Sequence, residues 1–279
     1  MPKFFKAFEI FRHYLVLLAI SAIIVFPFFW MLLMSFMPAE EILTPSIIPS
    51  YLEFNNYRVV WQTLPLLRYL TNSTFIAVLT TIFCLMLAVP AGFSMSLYRT
   101  RVARAGMMLF IFSQLIPGVL PFISFYFIMF NLGFMNTYTG LIGTYAIWGI
   151  PFCILMMRGY FATAIPVELY ESATVDGCGK YGIFFKIAIP LAVPGIASVS
   201  IFSFILAWNE FMFASVMLTN NELKPVSVGI FDFVGQFGAA APLPVMMATA
   251  VIVALPAMIL FGFLQRFLIS GLGAGAVKG

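Results

Sequence analysis

The sequence predicts an all-α membrane protein with six transmembrane helices and both termini in the cytoplasm. Three observations lead there. Only 9% of the 279 residues are charged and 63% are hydrophobic, whereas a soluble domain carries roughly 25% charge; so little polar surface cannot cover a water-soluble particle. Six apolar stretches recur, at 14–36, 75–97, 106–130, 140–157, 191–218 and 245–268. Each is near or above the roughly 20 residues a helix needs to cross the hydrocarbon core, and backbone groups unpaired in lipid make helix the default. The short alternating segments of a β-barrel are missing from the sequence. Finally, six crossings put eleven of the fourteen Lys and Arg on the side of both termini, the side that the positive-inside bias assigns to the cytoplasm.

Taken in order, the first stretch reads as a permanent span, being too long for a signal peptide's apolar core and lacking an A-x-A-like exit. An outer loop follows at 37–74, with Pro38, Pro45, Pro49 and Pro65 among Glu40, Glu41 and Glu53. The second stretch contains Pro90, the third Pro117 and Pro121, the fifth Pro194 and Gly195, and the sixth Pro256. Proline removes a backbone bond and kinks a helix, and in lipid the freed carbonyls need a neighbour or a water-filled cavity. These breakers suit helices bent around a path; they also suit the ordinary enrichment of proline in membrane helices. The outer loop at 131–139 is short. The one at 219–244 carries Gly235 and Gly238 around Gln236 and Phe237, and reads as a lid or partner contact, or as a plain connector. No repeat of 20–50 residues breaks the chain into a solenoid, so residues 1–279 are expected to form a single membrane domain with a cytoplasmic loop at 163–190 and a tail at 269–279.

Several chemistries are disfavoured by the same reading. Cys84, Cys153 and Cys178 form neither a disulfide framework nor a C-x-x-C spacing. His13 is the single histidine and has no ligand cluster near it, so no metal site is expected. No nucleophile stands with a base in reach of it, which disfavours an enzyme. No clustered basic face suits a nucleic acid. There is no G-x-x-x-x-G-K-[ST] phosphate loop, so this chain is expected to bind no cofactor.

The polar loop between the fourth and fifth stretches is the most informative segment. Pro166 suits a first helical position and Gly177 suits the left-handed residue that ends a helix, with about three turns between them. Val167, Tyr170 and Thr174 fall at i, i+3, i+7 and can face protein, whereas Glu168 and Glu171 share a polar strip. Asp176 is expected to cap the turn that follows. A second helical piece, 181–189, carries Lys180 and Lys186 beside Phe184 and Phe185. Exposed apolar residues ringed by charge mark a partner surface. The alternative, a helix pair lying on lipid head groups, is weakened by three acidic residues that anionic lipid would repel.

Inside the spans, Trp208, Asn209 and Glu210 stand together, and Gln114 lies in the third stretch. An intramembrane carboxylate faces a cavity or a partner. Two readings stand: these residues border a solute path, with Trp208 offering an aromatic face, or Glu210 pairs with Arg158 to hold helices together.

The run Glu171-Ser172-Ala173, three residues, Gly177, nine residues, Ile187-Ala188-Ile189-Pro190 resembles the cytoplasmic signature of permease subunits of binding-protein-dependent ABC importers, Glu-Ala-Ala, Gly, Ile-x-Leu-Pro. It departs at Ser172 and Ile189. Trp208-Asn209-Glu210-Phe211, Asn56-Tyr57, Asn72-Ser73 and the tail Gly271-Leu272-Gly273-Ala274-Gly275-Ala276-Val277-Lys278-Gly279 are similar to carbohydrate importers of the maltose type. That resemblance implies the type I importer permease architecture in a bacterial or archaeal plasma membrane. It implies a second, related permease, two ATPase subunits that bind ATP and Mg, an extracytoplasmic sugar-binding protein, and surrounding membrane lipid. Glu168, Glu171, Ser172, Ala173, Asp176, Gly177, Ile187 and Pro190 would meet the ATPase. Gly271, Gly275 and Lys278 would enter the cleft between the ATPases, and Gly235, Gln236, Phe237 and Gly238 would meet the binding protein. Two alternatives remain: another solute such as glycerol phosphate or an amino acid, and an ion-coupled secondary transporter, which would want more buried carboxylates and an inverted repeat.

Overall fold

A computed structural model describes residues 2–42, 48–98, 100–237 and 242–276, with backbone alone at 2–9, 236–237 and 268–276. The described residues form helices and no strand. In chain order these are α1 Pro2–Ser35, α2 Asn55–Thr63, α3 Leu66–Leu97, α4 Arg101–Leu115, α5 Phe122–Asn131, α6 Tyr138–Ala164, α7 Val167–Val175, α8 Lys180–Ile183, α9 Ile189–Leu191, α10 Val193–Asn209, α11 Met212–Met217, α12 Val226–Phe237 and α13 Leu243–Ala276, with a π-helical turn at Phe184–Ala188.

Among the described residues four helices are long and apolar enough to cross a membrane: Ile10–Ser35, Leu66–Leu97, Tyr138–Ala164 and Leu243–Phe267; Lys180–Leu191 and Val193–Asn209 make a fifth if a pair bent by 72° is one span. The third stretch divides. Thr100 caps α4, its side chain accepting from Ala103 N at 3.1 Å. Ile116, forced out of the helical region by the proline after it, is extended at φ −80°, ψ 116°. Pro117 and Pro121 then delay the restart to Phe122. The fifth bends because Pro190 and Pro194 each remove a donor around Ala192. α3 begins at Leu66, ahead of the stretch expected at 75–97, and α6 runs on to Ala164, past the stretch expected at 140–157.

The chain forms two compact units, residues 1–66 with 233–255 and residues 67–232 with 256–279. In the first, Asn56 ties the end of α1 to α2: its Nδ2 donates to the Ser35 and Met37 carbonyls, both at 3.0 Å. The apolar window of α1 is left wholly exposed.

The second unit is built on α6, which buries Leu141, Tyr145, Cys153, Met157 and Phe161. Small residues let its neighbours approach, as is usual where lipid supplies no hydrophobic drive for helix association. At Gly92 of α3 an added Cβ would stand 2.6 Å from Met157 Cβ and 2.8 Å from the Arg158 backbone nitrogen. At Gly195 of α10 it would meet the Tyr160 ring at 2.5 Å.

Candidate functional site

The polar loop folds as a compact knob seated on the ends of α3 and α6. Pro166 is the N-cap of α7, with φ −61° and ψ 140°, so it stands one position ahead of its expected place. The C-terminus closes as the spacing predicts. Gly177 takes φ +81°, its N–H donates to the Thr174 carbonyl at 3.0 Å, and Cys178 N–H donates to the Ala173 carbonyl at 2.9 Å, the paired bonds of a Schellman ending. Asp176 departs from expectation. It is the C-cap of α7, and the N-cap of α8 is Gly179, without a side-chain bond. The Schellman bonds already turn the chain there, leaving the Asp176 carboxylate exposed.

One side of the knob is core. Tyr170, Ala173, Ile183 and Ala188 are buried together with Phe93 and Phe161. The Phe93 ring lies 5.6 Å from Tyr170, 5.5 Å from Phe161 and 5.2 Å from Phe184. The Tyr170 hydroxyl is buried without a hydrogen bond, and burial pushes its pKa up to about 12. The other side is open. Glu168, Glu171, Ser172, Asp176, Gly177 and Pro190 are exposed and Ile187 is half-buried. Val175 is 88% and Tyr181 83% exposed. Arg68–Glu222 and Lys224–Asp232 are ion pairs; Glu168, Glu171 and Asp176 form none with a cation among the described residues. The signature positions divide accordingly: Ala173 must be small because it is buried, and Ser172 is tolerated because its hydroxyl turns back to the Glu168 carbonyl at 2.9 Å.

At the other end of α10 lies a second polar centre. The helix stops at Asn209, and Glu210, extended at ψ 130°, caps α11 by accepting from Phe213 N at 2.8 Å and Ala214 N at 3.1 Å. A pairing with Arg158 is not found; Tyr145, which faces Glu210, lies about 20 Å along α6 from Arg158. Glu210 therefore stands at a span's end, where backbone N–H groups replace a cationic partner. Trp208 is buried and stacks on Phe204 with centroids 5.5 Å apart. Asn209 and Gln114 are exposed, and Asn209 donates to the Ile205 carbonyl at 3.1 Å.

Sequence reasoning missed what holds this break. Asn72 of α3 donates to the Glu222 and Lys224 carbonyls at 2.9 and 3.0 Å and accepts from the Tyr138 hydroxyl at 2.8 Å. Ser73 accepts from Val226 N at 2.7 Å. Asn136, left-handed at φ 54°, accepts from Thr219 N, the Thr219 hydroxyl and Asn220 N at 2.8, 3.0 and 3.0 Å. Ser227 donates to the Glu210 carbonyl at 2.8 Å. The available signal was an Asn just after Gly133 in a short loop, since Asn tolerates the left-handed region.

Gly235 ends the described side chains of α12, and Gln236 and Phe237 follow in backbone only; Gly238 lies outside the described residues. Gly271 and Gly275 fall in the last turns of α13, and Lys278 lies outside the described residues.

Replacing Glu210 by Ala leaves two N–H donors of α11 unpaired. It should lower the stability of the purified protein by about 2 kcal/mol, whereas Glu210→Gln, which keeps an acceptor, should lose less than half of that. Thermal melts of both variants, set beside transport rates, check this.

Residues 88–273 match the family model described as binding-protein-dependent transport system inner membrane component. The chain is 33% identical to the diacetylchitobiose uptake system permease protein DasC of Streptomyces coelicolor, over 92% of each chain. It is 34% identical to the trehalose/maltose transport system permease protein MalG of Thermococcus litoralis, over 95% of this chain and 97% of that one. Its fold is similar to a chain in the crystal structure of a bacterial ABC transporter involved in the import of the acidic polysaccharide alginate, with TM-score 0.76 at 23% identity, covering 94% of this chain and 96% of that one.

Proposed function

The chain belongs to the family of binding-protein-dependent transport system inner membrane components, and on that premise we propose that it is the permease subunit through which an ATP-driven importer moves a carbohydrate into the cytoplasm. One observation carries the mechanism. The knob presents Glu168, Glu171 and Asp176 exposed on one side, without an ion pair among the described residues, and on the other is packed into the ends of α3 and α6 through Phe93 and Tyr170. An ATPase subunit with a basic rim would grip the first side. Its displacement on ATP closure would then reach the spans through the second, as a rigid-body switch between inward- and outward-facing states.

A second permease completes the path in this reading, and two ATPases supply ATP, Mg and the hydrolysis. A solute-binding protein delivers the sugar at the opposite face, where the expected outer loop at 219–244 folds in part as α12. Gly235 through Gly238 would touch that protein, Asn209, Glu210 and Gln114 would border the path beside Trp208, and the chain's last residues would reach the ATPase cleft. Support for a carbohydrate rests on the Trp208–Phe211 run and on relatives that are permeases for diacetylchitobiose and trehalose/maltose.

Co-reconstituting the chain with its neighbouring permease, ATPase and binding protein tests this. Uptake of a labelled oligosaccharide should require ATP and the binding protein together. Uptake sustained by a proton gradient alone overturns the ATP-driven reading, and ATP-dependent uptake of a non-sugar alone overturns the substrate class.

Orientation has its own test. Cys84 and Cys153 are buried and Cys178, in the knob, is half-exposed. A membrane-impermeant maleimide should label Cys178 in inverted vesicles stripped of peripheral proteins and leave right-side-out vesicles unlabelled. The reverse pattern would place the knob outside.

A further inference from the structure

Beside the knob, α3 and the chain entering α10 enclose an open groove of about 950 Å³. Met86, Val89 and Phe93 form one wall, and Phe184, Phe185 and Ile196 form the other. The π-helical turn Phe184–Ala188 supplies both phenylalanines, and such widened turns recur at functional sites. Tyr98, Lys180 and Tyr181 line the end nearest the knob. No acidic residue lines the groove, and Lys180 has no carboxylate partner among the described residues; its amine lies 5.5 Å from the centre of the Tyr98 ring. Arg101 and Arg104, both exposed, begin the next helix after Tyr98.

The geometry points to a binding site for one anionic phospholipid of the cytoplasmic leaflet, its acyl chain in the groove and its phosphate on Lys180. Length is the first argument. From Leu85 to Tyr98 is about 20 Å of helix, which matches one leaflet and its head-group zone rather than the roughly 30 Å hydrocarbon core that a partner's transmembrane helix would run along. Chemistry is the second. The long walls are apolar and Lys180 sits at the knob end, flanked by the two tyrosines, which suits a head-group interface. Basic pockets between helices on the cytoplasmic side bind anionic head groups. The inference rests on the orientation proposed above and on nothing about the solute.

The test uses the full chain purified with the subunits that accompany it, in nanodiscs. These contain phosphatidylglycerol carrying a photoactivatable diazirine in its acyl chain, or phosphatidylcholine with the same chain. Labelled peptides are mapped by mass spectrometry. Phosphatidylglycerol should label 85–98 or 184–196 about fivefold more than phosphatidylcholine, since one Lys near the surface contributes about that factor. Lys180→Arg should keep the difference, Lys180→Glu should abolish it, and Met86→Trp should block labelling by either lipid. Equal labelling by the two lipids on the unaltered chain, no labelling in the groove, or cross-linking of a photoreactive residue at position 86 to a second permease would each overturn the proposal. No readout involves transport, so a failure of the importer reading and a failure of the lipid site are distinguishable.

Discussion

Glu171→Lys should reduce solute uptake by about 100-fold while the protein still inserts and folds. Glu171 is exposed on α7 with no ion pair among the described residues, so the fold should give up little when its charge is reversed. In the proposed reading the loss would fall on docking. Reversing one partner of a charge pair at an interface costs about 3 kcal/mol, which is close to a hundredfold in affinity. Pull-down of the ATPase should fall in parallel with uptake, and Glu171→Gln should fall between the two. Ser172→Ala, which removes only a hydroxyl bonded to its own helix, should change neither. Normal pull-down and normal uptake by Glu171→Lys would remove α7 from the docking surface.

Gly92→Val should stop the second unit from assembling, and Gly92→Ala should weaken it by about 3 kcal/mol. The clash is with backbone as well as side chain: a Cβ at Gly92 would lie 2.8 Å from the Arg158 nitrogen, and α6 cannot yield locally without breaking its own ladder. Phe93 is the next residue and carries the ring that seats Tyr170 and Phe184. Pushing α3 away would therefore also unseat the knob, so uptake should fall further than stability alone explains. Gly159→Ala is the control, since nothing lies within 4 Å of a Cβ there. Size-exclusion profiles and melting curves of the three variants decide it, and indistinguishable melts would mean that α3 and α6 do not touch as described.

Particular residues show how far the sequence could be read. Gly177 was legible because only glycine enters φ +81° without strain, a local requirement. Ala173, set by the resemblance among the ATPase contacts, is instead buried with Phe93 and Tyr170, which only the packing of the knob decides. Asp176 was misread because its role depends on which bonds the following residues make, and the Schellman pair had already closed the turn. Of the two readings of Glu210, the pairing with Arg158 failed for a longer-range reason. A carboxylate in an apolar run needs a donor, and spacing does not say whether that donor is a guanidinium on another helix or two N–H groups of a helix that restarts three residues later. Asn72 and Asn136 carried no periodic signal at all; their bonds join segments 66 to 152 residues apart.

Composition and spacing by themselves determined that this is a helical membrane protein with a polar knob. Those properties follow from solvent transfer and from backbone geometry, which act on each segment alone. Where the third and fifth stretches break, which side of the knob is buried, and what satisfies Glu210 were decided only by tertiary structure. Each depends on which neighbour supplies a missing hydrogen bond or fills a gap, and that neighbour is near in space and distant along the chain.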